Sequence, residues 1–206
     1  MPHLLGIDVS TTGVKALLLD AAGEVVGSTT TPLNLSTPKP RWCEQDPLDW
    51  WRGTISSVRR LVSETGLGGD AVTAVGLTGQ MHGLTLLGAS GRVLRPAILW
   101  NDQRTADQCD HIRELVGRER LIAITGNDAL AGFTAPKILW VRQHEPEVYA
   151  LVKHVLLPKD YVRLRLTGDH ATDRAGAAGT LLVDLQARDW SPEILDRLSI
   201  PSDWLP

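Results

Sequence analysis

The chain has 206 residues, 43% of them hydrophobic and 22% charged, with a formal net charge of -3 at pH 7. This composition is typical of a globular protein with a buried core, and the absence of a basic cluster or a long apolar run argues against nucleic-acid binding and membrane insertion. The apolar run before Asp8 is too short for a signal peptide, and Cys43 and Cys109 lack the spacing of a zinc site. A cytoplasmic protein with reduced cysteines is therefore predicted.

The chain begins with three short apolar runs separated by polar turns. The first run ends at Asp8, the second covers residues 14–19 and the third covers residues 25–31. Short runs at this spacing predict an antiparallel three-stranded meander.

The first turn of this meander, residues 8–15, combines a carboxylate, three hydroxyl residues and a lysine in the sequence DVSTTGVK. Backbone N–H groups and hydroxyls in a tight turn can hold phosphate oxygens, and a carboxylate beside them can hold hydrated magnesium. The turn lacks the glycine spacing of a P-loop or a dinucleotide-binding motif. Taken alone, the segment is also explained as a hairpin with polar turn residues.

A helix is predicted next, because Asp46 can cap a helix and Pro47 is tolerated at the first helical position. Apolar residues at helical spacing from Leu48 to Val62 predict an amphipathic helix that Gly66 ends. The run at residues 72–77 predicts another buried strand. Three strands, a helix and a strand in this order predict an α/β fold, with helices packed on a mixed sheet.

Residues 79–83, GQMHG, follow this strand and place a thioether and an imidazole at its carboxyl end. In open α/β sheets ligands bind outside the carboxyl ends of strands, and flanking glycines allow the backbone to approach a ligand closely. Taken alone, a residue such as His82 is more often a structural histidine, and one such as Met81 is more often a core residue.

Residues 97–102, AILWND, predict a strand that ends in an indole ring, an amide and a carboxylate. The face of Trp100 suits sugar C–H groups, while Asn101 and Asp102 can exchange hydrogen bonds with hydroxyls. Helix capping by Asn101 or Asp102 is the alternative.

Beyond residue 102 the pattern predicts helices, with starts at Thr134, Pro146, Pro158 and Pro192. Asp173 stands before a run of small residues, where it can cap a helix or act as a general base. The last residues, IPSDWLP, resemble neither a helix end nor a polar tail, which indicates an interrupted domain.

Seven segments in the same order resemble the FGGY family of carbohydrate kinases and cover nearly the whole chain: IDVSTTGVKALLLD, WCEQDPLDWW, GLTGQMHGLTLL, RPAILWNDQR, FTAPKILWVRQHEPEVY, LLPKDYVRLRLTG and DLQARDWSPEIL. The resemblance implies two actin-like (ribonuclease H-like) domains, each with a mixed five-stranded sheet, that close over ATP and sugar. Residues 1–206 would be an N-terminal domain, incomplete at its C-terminus and without the second, ATP-binding domain.

The resemblance also implies roles for individual residues. Asp8 would be the catalytic residue on the phosphate side and would hold Mg²⁺ through water, while Thr11, Thr12 and Lys15 would line the phosphate loop. The implied sugar-binding residues are Met81, His82, Trp100, Asn101, Asp102 and Phe133. The Met-His pair indicates a ketose such as D-xylulose, because this position differs in glycerol kinases.

The function implied by the resemblance is an ATP-dependent ketose kinase that forms D-xylulose 5-phosphate. The family's general base would be an aspartate beyond residue 206, so the 206-residue chain alone is expected to be nearly inactive. Asp173 would not be that base, because its segment resembles one that packs beside the sugar cleft. The alternatives are a sugar-binding or regulatory module without chemistry and an actin-like ATPase of filaments or chaperones, which has no reason to carry the Met-His and Trp-Asn-Asp segments. A homodimer is also compatible with the sequence.

Overall fold

The structure is a computed structural model that describes residues 2–206. Its strands are β1 (His3–Val9), β2 (Gly13–Leu19), β3 (Val25–Pro32), β4 (Glu44–Gln45), β5 (Val72–Gly79), β6 (Thr85–Leu87), β7 (Ala97–Ile98), β8 (His154–Leu156), β9 (Val183–Asp184) and β10 (Asp189–Trp190). Its α-helices are α1 (Pro47–Thr65), α2 (Ala106–Val116), α3 (Arg118–Thr125), α4 (Thr134–His144), α5 (Pro146–Tyr149), α6 (Pro158–Thr167), α7 (Arg174–Ala178) and α8 (Pro192–Leu198). Two short 3₁₀ turns cover Gly69–Ala71 and Ser202–Trp204.

The main sheet has the strand order β3-β2-β1-β5. The first three strands pair antiparallel, and β5 pairs parallel to β1. This confirms both the predicted meander and the predicted mixed sheet. Within residues 2–206 the sheet has four strands, where the resemblance implies five. The carboxyl ends of the two parallel strands, β1 and β5, lie side by side at one end of the sheet.

Helix α1 covers one face of the sheet and begins and ends where predicted. The carboxylate of Asp46 accepts a hydrogen bond from the backbone N–H of Leu48 at 2.9 Å, and Gly66 ends the helix with a φ of 67°. The buried residues of this helix combine the apolar Trp50 and Leu61 with small or polar ones, Gly53, Thr54 and Ser57, whereas Leu48 and Val62 of the predicted apolar stripe are exposed. Ser57 faces the sheet because its hydroxyl donates a hydrogen bond to the carbonyl of Val14, in β2, at 2.8 Å.

Strand β5 is present, but the prediction that it is buried is wrong. It lies at the edge of the sheet, and all eight of its residues are intermediate or exposed, Val75 at 52%. Strand β1 covers only one of its edges, and no other strand of residues 2–206 pairs with it. A short run of apolar residues therefore predicts the strand but not its position at the edge of the sheet.

Two hydrophobic cores meet around β6 and β7. One core lies between the sheet and helices α1 and α6. The other lies among α2, α3, α4 and α8. Ile98 belongs to the second core, while its neighbours Ala97 and Leu99 belong to the first. This alternation fixes the segment that follows β7 between the two cores. No helix in residues 2–206 is long and apolar enough to cross a bilayer.

Candidate functional site

A cleft of about 550 Å³ opens at the carboxyl ends of β1 and β5. Open α/β sheets bind ligands outside the carboxyl ends of their strands. The residues that line it come from the first turn, the segment after β5 and the segment after β7: Asp8, Ser10, Thr11, Thr12, Gly79, Gln80, Met81, His82 and Trp100. Three segments that are far apart in the sequence therefore form one site.

The first turn supplies the polar wall of the cleft. The hydroxyl of Ser10 donates to the carboxylate of Asp8 at 2.7 Å, and the N–H of Ser10 donates to the carbonyl of Gly13 at 3.0 Å. Lys15 lies opposite Asp8 across the β1–β2 ladder, so both side chains project from the same face of the sheet. Lys15 lines a neighbouring hollow of about 430 Å³ that it shares with Asp8, rather than the cleft itself.

A chain of side-chain hydrogen bonds connects the first turn to the other two segments. The indole N–H of Trp100 donates to the hydroxyl of Thr11 at 3.0 Å, and that hydroxyl donates to the amide oxygen of Gln80 at 3.2 Å. The amide nitrogen of Gln80 donates to Gln45 at 2.9 Å, and Gln45 also accepts the indole N–H of the buried Trp50 at 3.0 Å. The exposed ring of Trp100 is thereby tied to the core.

His82 has a fixed ring orientation. Its Nδ1 lies 2.6 Å from the carbonyl oxygen of Gly179, and because a carbonyl can only accept, Nδ1 carries the proton. Burial lowers the pKa of His82, and the nearby Lys137 lowers it further, against the opposing effect of the bond to Gly179. The imidazole is therefore neutral at pH 7, which leaves Nε2 as a hydrogen-bond acceptor.

Gly179 is required for this contact. A Cβ at Gly179 would lie 2.6 Å from both Nδ1 and Cε1 of His82. The aromatic ring of Phe133 packs edge-on against the same imidazole, with the ring centroids 4.9 Å apart. Phe133 is thus in contact with His82, although it does not line the cleft.

Met81 and Trp100 present apolar surface to the solvent side of the cleft, with 44% and 48% of their surface exposed. The core alternative for Met81 is therefore wrong. Asn101 is partly buried, and its side-chain oxygen has no hydrogen-bond partner among residues 2–206.

Asp102 is fully buried, at 0% exposure, and its carboxylate contacts protein groups. It accepts from the guanidinium of Arg104 at 2.7 to 3.0 Å and from the backbone N–H of Cys43 at 2.7 Å. The carboxylate of Glu44 bridges Arg104 and Arg95 at 2.8 and 2.7 Å. Neither Asn101 nor Asp102 caps α2, whose N-cap residue is Thr105.

Asp173 caps α7, as one of its two interpretations predicted. Its carboxylate accepts from the N–H of Gly176 at 2.8 Å and forms an ion pair with Lys159 at 2.5 Å. The same short helix ends at Gly179, which contacts His82. The segment of Asp173 therefore does pack beside the cleft.

Sequence reasoning did not identify four residues that support the cleft. They are Gln45, Thr134, Lys137 and Gly179. Each lies in a segment whose resemblance to the family was recognised, except Gly179, whose only signal was a run of small residues.

Comparisons with known proteins give consistent results. The model of the FGGY family of carbohydrate kinases, N-terminal domain, matches residues 3–206. The xylulose kinase of Escherichia coli (strain K12) is 49% identical over 202 residues, which are 98% of this chain and 41% of that protein. The xylulose kinase of Bacillus subtilis (strain 168) is 42% identical over 206 residues, which are 100% of this chain and 41% of that protein.

Solved structures agree with these relatives. The crystal structure of xylulose kinase from Rhodospirillum rubrum superposes with a TM-score of 0.92 at 29% identity, covering 99% of this chain and 42% of that one. The predicted fold class, an actin-like α/β domain, is confirmed. The chain spans about two fifths of the length of the curated relatives it matches.

Proposed function

Because this chain belongs to the FGGY family of carbohydrate kinases, we propose that it is the sugar-binding part of an ATP-dependent ketose kinase that converts D-xylulose to D-xylulose 5-phosphate. The observation that carries the proposal is the cleft in which Met81, His82 and Trp100 face the turn of Asp8 and Thr11. Similarity to xylulose kinases at 42% and 49% identity supports this substrate.

The proposal assigns residues 1–206 to the N-terminal domain, and places the ATP-binding domain and the general base in sequence outside this chain. The coverage of the relatives, 41% of their length, supports this division. A homodimer and a cytoplasmic location stay predictions.

The sugar side of the cleft combines apolar surface with one directed acceptor. The indole of Trp100 offers a flat apolar face to the C–H groups of a ketose, and the flexible side chain of Met81 can adapt to them. The neutral imidazole of His82 would accept a hydrogen bond from a sugar hydroxyl through Nε2. Phe133 would fix that imidazole from behind. Asn101 does not line the cleft and its amide oxygen is buried, so its contact with the sugar stays a prediction.

Asp102 takes a different role in this proposal from the one its sequence position suggests. Its carboxylate oxygens are occupied by Arg104 and by the N–H of Cys43. It would therefore hold the Trp100–Asn101 segment in place rather than contact the sugar.

The phosphate side of the cleft fits a hydrated magnesium ion and nucleotide phosphates. No group of three or more histidine, cysteine or acidic residues in the described part of the chain could enclose a metal ion. A single carboxylate, that of Asp8, suits Mg²⁺, which keeps several waters and takes other ligands from phosphates. Asp8 would hold the ion through water, with its carboxylate oriented by the hydroxyl of Ser10.

Three residues would support the phosphates themselves. The hydroxyl of Thr12 and the ammonium of Lys15 would donate to phosphate oxygens, while Thr11, whose single hydroxyl proton is donated to Gln80, would hold the turn in place through that bond. Magnesium-bound ATP, when present, supplies the phosphoryl group and neutralises its charge. The contribution of this chain is then to hold the sugar hydroxyl in line with that group.

A phosphorylation assay tests the proposal. The complete protein that carries this chain should form ADP and a pentulose phosphate from ATP and D-xylulose, with much lower activity on glycerol. Residues 1–206 alone should be slower by a factor of at least roughly 10²–10⁴, because a general base contributes about that much. Preference for glycerol, or equal activity of residues 1–206 alone, would contradict the proposal.

A further inference from the structure

Lys137 is a buried lysine without an acidic partner. It lies in the first turns of α4 and is 0% exposed. Its Nζ donates to two backbone carbonyl oxygens, those of His82 at 2.8 Å and Gly132 at 2.7 Å. Among residues 2–206 no ion pair includes Lys137. Burying an amine without a carboxylate is costly, so packing alone does not explain it.

The first of these carbonyls belongs to a strained part of the cleft. His82 has a φ of 64°, in the left-handed region that side chains other than glycine rarely adopt. Its carbonyl also accepts the hydroxyl of Thr134 at 3.2 Å. Two side chains of α4 therefore hold the peptide bond that follows His82.

The second carbonyl belongs to the segment that presents Phe133. Gly132 precedes Phe133 directly, and a Cβ on Gly132 would lie 2.8 Å from the carbonyl oxygen of Trp100. One amine therefore joins the segment of His82 to the segment of Phe133, which in turn packs against the segment of Trp100. These are the three segments assigned to the sugar.

We propose that Lys137 is a positioning residue of the sugar cleft, which holds His82 and Phe133 in the geometry that receives the ketose. This inference rests on the proposed function, because it concerns the same cleft. A neutral amine has two N–H donors, which matches the two carbonyl acceptors. Burial lowers the pKa of Lys137 to about 7, so the neutral form is accessible near neutral pH.

The test compares Lys137→Met, which keeps an unbranched side chain as far as Cε and removes the amine, with the control Lys153→Met at an exposed lysine. Calorimetric titration of the complete protein with D-xylulose should show affinity weakened by about 10- to 100-fold in Lys137→Met and unchanged in Lys153→Met. In NMR spectra, nuclear Overhauser contacts between the rings of His82 and Phe133 should be present in the wild type and in Lys153→Met and lost in Lys137→Met. A merely stabilising lysine would leave these ring contacts unchanged.

A second variant covers the case in which Lys137→Met does not fold. Thr134→Val removes only the hydroxyl donor to His82 and should weaken D-xylulose binding by about three- to tenfold. Unchanged affinity and unchanged ring contacts in Lys137→Met, or in Thr134→Val should the former unfold, would overturn the proposal. If the wild type binds no D-xylulose, the proposed function fails, while the ring contacts still decide whether Lys137 positions His82.

Discussion

Replacing Asp102 with alanine is expected to lower the free energy of unfolding by about 3–5 kcal/mol. The side chain of Arg104 is 1% exposed and that of Asp102 is 0% exposed, so the change leaves a buried guanidinium with Glu44 as its remaining acidic partner. The N–H of Cys43 also loses its acceptor. The guanidinium lies 3.6 Å from the ring centre of Trp42 and cannot turn to solvent without breaking that contact.

The control for this prediction is Asp110→Ala. Asp110 also pairs with an arginine, Arg113, at 2.7 Å, but its side chain is 73% exposed. Its loss should change stability by less than about 1 kcal/mol. Urea unfolding followed by tryptophan fluorescence measures both variants. If Asp102→Ala is as stable as Asp110→Ala but has lost sugar affinity, the carboxylate contacts the sugar after all.

The free energy of unfolding is expected to rise by about 2 kcal/mol between pH 7 and pH 9 because of Lys137. Burial lowers the pKa of Lys137 to about 7 in the folded chain, whereas an unfolded lysine has a pKa of about 10.4. Between these values the unfolded chain binds a proton that the folded chain does not, so stability increases with pH. Below about pH 7 both states bind the proton, and this contribution no longer varies.

Lys137→Met isolates this effect from other titrations. Burial raises the pKa of Cys109 to about 11, which lowers stability near the top of the same pH range in both proteins. Urea unfolding at several pH values should therefore show that the difference between wild type and Lys137→Met grows in favour of the wild type as pH rises. Parallel stability curves would mean that Lys137 stays protonated in the folded chain.

Much of the fold was predictable because local chemistry determined it. Asp46 and Asp173 cap their helices through hydrogen bonds with residues two or three positions away. The meander followed from short apolar runs between polar turns. Such features are predictable because the interacting residues are close together in the sequence.

Features that depend on distant packing were predicted less well. The face of α1 toward the sheet carries Gly53, Thr54 and Ser57, because the sheet surface accepts a close approach and supplies acceptors such as the carbonyl of Val14. The predicted burial of β5 is wrong because a run of apolar residues does not reveal whether a strand is paired on one edge or on both.

The candidate site shows the same division. Five residues that line the cleft lie in segments that resemble the family, and the sequence predicts them: Asp8, Thr11, Met81, His82 and Trp100. Their supporting residues were not, because Lys137 lies 55 positions and Gly179 lies 97 positions from His82. The chemistry of Asp102 and the family resemblance both predict a sugar contact, whereas in the structure Arg104 occupies its carboxylate.

Binding of D-xylulose to the complete protein that carries this chain tests the central claim most directly. Calorimetric titration would compare the wild type with His82→Ala and with the control His111→Ala, whose imidazole is exposed on α2. Loss of one directed hydrogen bond should weaken the affinity of His82→Ala by about 5- to 30-fold, or about 1–2 kcal/mol, with His111→Ala unchanged. Equal affinities of the two variants for D-xylulose would contradict the assignment of this cleft to the sugar.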